Sequence, residues 1–157
     1  MKNLIFIITV SILLLSCSGI KYTYDRSTDF TKYKTFVYIK KGMYQSKLPS
    51  IYKKIIAEEV HSYIINEGLK PAFDQPDLMI DIIPEFHKRI DVYPSPYGKK
   101  VYKSKEGTLS IRFLDARTNK IIWEAKTYLK FKNKKELSLR LRKKLDKIFT
   151  HYPPQKN

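Results

Sequence analysis

Leu78-Met79-Ile80-Asp81-Ile82-Ile83-Pro84-Glu85-Phe86-His87-Lys88-Arg89-Ile90 is the stretch on which the fold turns. Leu78, Ile80, Ile82, Phe86 and Ile90 fall on one side of an extended chain, and Asp81, Glu85, His87 and Arg89 on the other. That period of two predicts a strand with one buried and one wet face. Pro84 within it lacks an N–H, so this part of the strand belongs at a sheet edge or a bulge.

The same reasoning works outward. Thr108 to Phe113 alternates with Leu109, Ile111 and Phe113 inward, and Ile121, Trp123, Ala125, Thr127 and Leu129 share a face after it. Between them Asp115-Ala116-Arg117-Thr118-Asn119-Lys120 has the chemistry of a hairpin turn, with Asp115 and Asn119 suited to its geometry. Upstream, Ile20–Asp25 and Thr35–Ile39 are β-rich, Asp29–Tyr33 is a turn with aromatic plugs, and Lys40–Lys47 reads as a loop containing Gly42. Leu48, Ile51, Tyr52, Ile55, Ile56, Val60, Tyr63 and Ile64 recur at helical spacing, and Gly68 suits a left-handed C-terminal cap. Leu69–Phe73 reads as a short strand. Lys134–Thr150 forms a second helix on the stripe Leu137, Leu141, Leu145, Ile148 and Phe149. Residues 151–157 read as a polar tail after the domain of residues 20–150. The order β β α (β) β β β α predicts an α+β fold: one mainly antiparallel sheet with two helices packed on one face. Phe30, Tyr33 and Phe36 plug one end of the core, and Trp123 is an apolar anchor on a strand.

Composition narrows the partners. Hydrophobic residues at 43% and aromatics at 13% exclude a disordered chain. The net charge of +16 comes from 31 Lys and Arg against 15 Asp and Glu. Only Arg26, Arg89, Arg112, Arg117, Arg140 and Arg142 are arginine, the residue best suited to bidentate phosphate recognition. The lysine excess points to diffuse charge, or to an anionic membrane or ligand, and not to nucleic acid.

The N-terminus gives an address. Lys2, the apolar run Leu4–Leu15, Ser16 and Cys17 resemble the signal and lipobox of a bacterial lipoprotein. The run is shorter than the about 20 residues of a membrane span and fits a signal core. The resemblance implies removal of residues 1–16, a diacylglyceryl group on the Cys17 sulfur and an acylated amine, with 17–19 as a short tether. It also implies the outer membrane, facing the periplasm, because Ser18 is not the aspartate of inner-membrane retention. Cys17 is the only cysteine. Once lipidated, it leaves no thiol for a disulfide, a metal or a nucleophile.

Four pieces carry a second resemblance. They are Tyr24-Asp25 with Asp29-Phe30-Thr31-Lys32-Tyr33-Lys34-Thr35-Phe36; the helix ending near Gly68; Pro76-Asp77-Leu78-Met79-Ile80; and Gly107-Thr108-Leu109-Ser110-Ile111 running through Asp115 and Thr118 to Ile122-Trp123. Together they resemble the bacterial lipoprotein family catalogued as domain of unknown function 4136. The resemblance implies an envelope lipoprotein with an α+β domain and no established catalytic residues.

Candidate sites are few. Asp81 and Glu85 lie roughly 13 Å apart along a strand, wider than the about 5–9.5 Å of a glycosidase pair. Glu85 and His87 are near enough to share a metal, but no motif joins His61, His87 and His151. Cross-strand pairing with Arg112, Glu124 and Lys126 accounts for these groups. There is no nucleophile elbow, phosphate-cradling loop or zinc-ligand spacing, so no cofactor, no metal and no enzyme is expected. The candidate contact is the 91–106 segment, read as a long hairpin connection or as an extension of both flanking strands, in which Tyr93, Tyr97 and Tyr102 interleave with Lys99, Lys100, Lys103 and Lys105. Three readings follow. The first is a non-catalytic, lipid-anchored accessory component that binds another envelope protein. The second is a binder of lipid A phosphate, phospholipid or peptidoglycan. The third is a hydrolase working around Asp81, Glu85 and His87.

Overall fold

The computed structural model describes residues 19–153, so the signal segment and Cys17 lie outside the described residues. The chain forms β1 (Ile20–Tyr24), a 3-10 turn (Phe30–Lys32), β2 (Thr35–Ile39), α1 (Lys41–Gln45), α2 (Ser50–Asn66), β3 (Lys70–Pro71), β4 (Leu78–Ser95), β5 (Gly98–Asp115), β6 (Ile121–Phe131) and α3 (Lys134–Phe149). The strands make one six-stranded sheet in the order β1-β6-β5-β4-β2-β3. The pairings β1–β6, β6–β5 and β5–β4 are antiparallel, whereas β2 runs parallel to both β4 and β3. The α+β class is as expected, and the sheet is mixed.

The core lies between the sheet and the two long helices. Register aligns Ile80 with Phe113 and Trp123, and Ile82 with Ile111 and Ala125. These residues are all buried, together with Ile56, Val60 and Ile64 of α2 and the full predicted stripe of α3. The helices are also clamped to each other. Glu59 of α2 accepts from Arg142 Nε (2.8 Å) and from the Ser138 hydroxyl (2.7 Å), and the Tyr63 hydroxyl donates to Asp146. Asn133 caps α3 by accepting the Glu136 N–H at 2.9 Å.

Several expectations are corrected. Residues 40–47 are not all loop: Lys41–Gln45 is a short helix, and Gly42 is buried where a Cβ would meet Asp81 and Ile83 at 2.6 Å. The close approach explains the glycine. The α2 stripe is narrower than read, because Ile51 is exposed. Ile121 is exposed and Ile122 buried, because a bulge between Phe113 and Leu114 shifts the register. Residues 151–153 are not a free polar tail. Tyr152 is buried with ring centroids 4.8 Å from Phe113 and 5.3 Å from Trp123, and His151 stacks on Tyr22 at 4.3 Å. Phe30 reaches the same cluster, 5.9 Å from Tyr152, which agrees with its plug role.

Candidate functional site

The hairpin of β4 and β5 outgrows the rest of the sheet. It pairs without interruption from Leu78–Asp115 to Ser95–Gly98. On one side β2 stops at Ile39, opposite Asp81; on the other β6 stops at Phe131, opposite Lys105. Pro84 therefore lies on a strand edge, as its missing N–H requires. Beyond Lys105 the two strands run on alone as a ribbon for about 23 Å, at about 3.3 Å per residue. The 91–106 segment is thus an extension of both flanking strands and not a long connection: its turn is Pro96-Tyr97 alone, and Gly98 follows with φ +115°.

Alternation along the ribbon sorts the candidate residues onto two faces. Tyr93, Lys100 and Tyr102 lie on the open face, continuous with the side of the sheet away from the helices. The Tyr93 and Tyr102 rings meet edge to face at 5.7 Å. Lys99, Lys103 and Lys105 lie on the helix side with Lys88, Ile90, Val92 and Val101. Tyr97 sits at the tip, fully exposed. Ile90, expected inward, is 51% exposed, and Val92 and Val101 are 53% and 54% exposed. They form an apolar strip among these lysines that the helices do not cover.

The open face of the sheet is a ladder of paired charges. Arg112 donates to Glu124 at 2.7 Å. Glu106, nearly buried, accepts from Arg89 (3.0 Å) and from the Tyr128 hydroxyl (2.9 Å), with Lys130 at 3.8 Å and His87 at 3.4 Å. The Arg89 hydrogen bond holds the Glu106 carboxyl below its ordinary range, and the same guanidinium does so for Asp91. Glu85 accepts from Thr108 (3.2 Å) and lies 4.0 Å from Lys126. Asp81 accepts the Gly42 N–H at 3.2 Å. Asp81, Glu85 and His87 therefore each serve a different partner and do not converge. Among the described residues no group of three or more His, Cys, Asp or Glu is arranged to hold a metal ion.

A groove of about 530 Å³ opens where the ribbon leaves the body. Lys47, Lys88, Lys103, Lys105 and Lys132 line it, over Leu48 and Phe86. No carboxylate is among its lining residues. Lys105 lies 4.6 Å from the Tyr52 ring centroid and Lys132 5.5 Å from that of Tyr102. Sequence reasoning found Lys103 and Lys105 but missed Lys47, Lys88 and Lys132, which converge only through the fold.

The most specific sequence pieces gather at the opposite end of the sheet. Asp77 accepts the N–H groups of Lys34 and Thr35 and the Thr35 hydroxyl, each at 2.9 Å. Asp115 accepts from the Tyr33 hydroxyl (2.8 Å) and from the N–H groups of Arg117 and Thr118 (2.9 Å each). Asp29 accepts the Thr31 N–H at 3.2 Å. These residues lock turns to one another, a structural role as expected.

The family model for Domain of unknown function (DUF4136) matches residues 20–154, and the chain belongs to that family. No curated protein matches the sequence. Among solved structures, the fold is similar to a PDZ domain protein from Parabacteroides distasonis, with TM-score 0.57 and 16% identity over 88% of this chain. The match covers 36% of that protein, so this chain spans about a third of its length. A putative neuraminyllactose-binding hemagglutinin homolog from Helicobacter pylori is similar at TM-score 0.52 and 12% identity, over 85% of this chain and 93% of its own. At these identities the likeness is one of fold alone. A looser similarity, TM-score 0.44 and 10% identity over 76% of this chain and 92% of the other, links it to a minor lipoprotein from Acinetobacter baumannii. No helix among the described residues is long and apolar enough to cross a membrane.

Proposed function

We propose that this chain is a lipid-anchored, non-catalytic component of the bacterial envelope, held through Cys17 at the periplasmic face of the outer membrane. It engages another envelope protein with the open face and tip of the ribbon. The observation that carries this reading is the ribbon itself. It extends beyond every other strand and presents Tyr93, Tyr97 and Tyr102 outside the core, with exposures of 55%, 100% and 44%. Aromatic side chains that the fold does not bury are the usual anchors of a protein contact. The neighbouring polar face supports a binding role, since its carboxylates are engaged in structural pairs.

Capture from native membranes tests the contact. Hot-spot aromatics contribute about 2 kcal/mol or more each, so changing Tyr93, Tyr97 and Tyr102 together to Ala should lower recovery of the crosslinked partner at least about tenfold. The loss should persist at high salt. Unchanged capture by that variant would remove the ribbon's aromatic face from the account. A second reading, recognition of an anionic envelope ligand such as lipid A phosphate, phospholipid or peptidoglycan, is favoured by the carboxylate-free lysine groove. It predicts instead that Lys99, Lys100, Lys103 and Lys105 to Ser is the damaging set and that binding falls with salt.

A further inference from the structure

The helix side of the ribbon and the groove at its root have a different chemistry from the aromatic face, and they stand at the anchored end of the molecule. β1 pairs Ile20 with Thr127 and Tyr24 with Trp123. The chain therefore enters the sheet pointing away from the end to which the ribbon extends, and its start lies nearest that end. Cys17 is three residues from Ile20, a span of at most about 10 Å. Along β6 the other end of the sheet, at Ile121, lies about 20 Å from the Ile20 row. The ribbon extends from the same row in the opposite sense, so the tether and the ribbon leave the sheet toward the same end.

The side chains fit such a surface. Ile90, Val92 and Val101 form an exposed apolar strip on the helix side. Lys88, Lys99 and Lys103 flank it, and none of them has an ion-pair partner among the described residues. The strip leads into the groove of Lys47, Lys88, Lys103, Lys105 and Lys132. Apolar side chains fringed by lysine, with a tyrosine at the tip, suit the boundary between acyl chains and anionic headgroups. We infer that this face docks on anionic phospholipid, with headgroup phosphates in the lysine groove and Ile90, Val92 and Val101 against the acyl boundary. The inference rests on the anchored reading above and adds the orientation of the domain on its membrane.

The test uses the lipidated mature chain with Val101→Cys, reconstituted in vesicles and labelled with an environment-sensitive dye. Lipidation of Cys17 leaves the new thiol as the sole attachment point. In vesicles containing anionic phospholipid, quenchers carried on the lipid acyl chains should quench the dye at least about threefold more than they quench the same dye at Thr118→Cys, on the far end. Neutral vesicles, 1 M salt, or Lys88, Lys99, Lys103 and Lys105 to Ser should remove most of the difference, because the Debye length falls to about 3 Å at 1 M. Retention of the protein on vesicles is read in parallel. Protein that fails to stay on any vesicle overturns the anchored reading. Protein that stays while the Val101 dye remains in water overturns this inference and leaves the face to a protein contact. Equal quenching on neutral vesicles also overturns it. Loss of quenching on adding inorganic phosphate at fixed ionic strength would make a free anion the ligand and overturn membrane docking.

Discussion

Trp123→Ala should lower the unfolding free energy by about 3–5 kcal/mol, the range for truncating a buried large aromatic. Trp123 is fully buried near the start of β6. Its ring centroid lies 4.9 Å from Phe113, 5.3 Å from Tyr152 and 6.1 Å from Phe149. It thereby joins the sheet, the end of α3 and the segment after it. Removing the indole leaves a cavity that three other rings line, and ring packing resists collapse into it. A domain of this size is stable by only about 5–15 kcal/mol, so the variant should show a much lower denaturant midpoint with an unchanged slope. The indole Nε1 has no hydrogen-bond partner. Trp123→Phe, which deletes that buried donor and keeps a ring, should therefore cost clearly less than the alanine change. A loss below about 1 kcal/mol for Trp123→Ala would mean that the ring is not part of the core.

Gly107→Ala should be nearly as damaging, by about 3 kcal/mol or more, at the upper end of overpacking costs. Gly107 sits in β5 between Phe86 of β4 and Leu129 of β6. A Cβ there would lie 1.9 Å from the Glu85 carbonyl oxygen and 2.8 Å from the Phe86 Cα. Both are backbone atoms, so no side-chain rotation relieves the clash, and β4 must move away from β5. The site is also where the ribbon leaves the sheet. The variant should accordingly lose protection of ribbon amides in hydrogen exchange before the rest of the hairpin. An unchanged midpoint together with unchanged ribbon protection would contradict the packing described at this position.

The elements that sequence made legible are those in which one physical rule acted alone. The Leu78–Phe86 alternation, the α3 stripe and the turn at Asp115–Lys120 each follow from burial or turn chemistry within a short window. The 91–106 segment reads first as a connection and only second as an extension of its flanking strands, because Pro94, Pro96 and Gly98 carry the composition of a loop, and lysine masks the alternation of Val92 and Val101. A two-stranded ribbon has no buried face to enforce a pattern, so its strands leave only a weak trace. The parallel pairing of β2 with β4 was not legible either, since alternation states which face is buried and not which strand is adjacent. Tyr152 looked polar among His151, Pro153 and Pro154, yet the ring cluster of Phe30, Phe113 and Trp123 claims it. Of the candidate contact residues, the tyrosines and the four ribbon lysines were visible as a composition. Their separation onto two faces, and the convergence of Lys47, Lys88 and Lys132 from distant segments, needed the register.

Whether the domain works while tethered at Cys17 is decided by the mass of the N-terminal peptide isolated from native membranes. A tethered protein gives a peptide beginning at Cys17, heavier than its sequence by a thioether-linked diacylglyceryl group and an amide-linked acyl chain, and absent from the soluble fraction. A peptide beginning at Met1, or an unmodified Cys17 thiol in soluble protein, would contradict the tether.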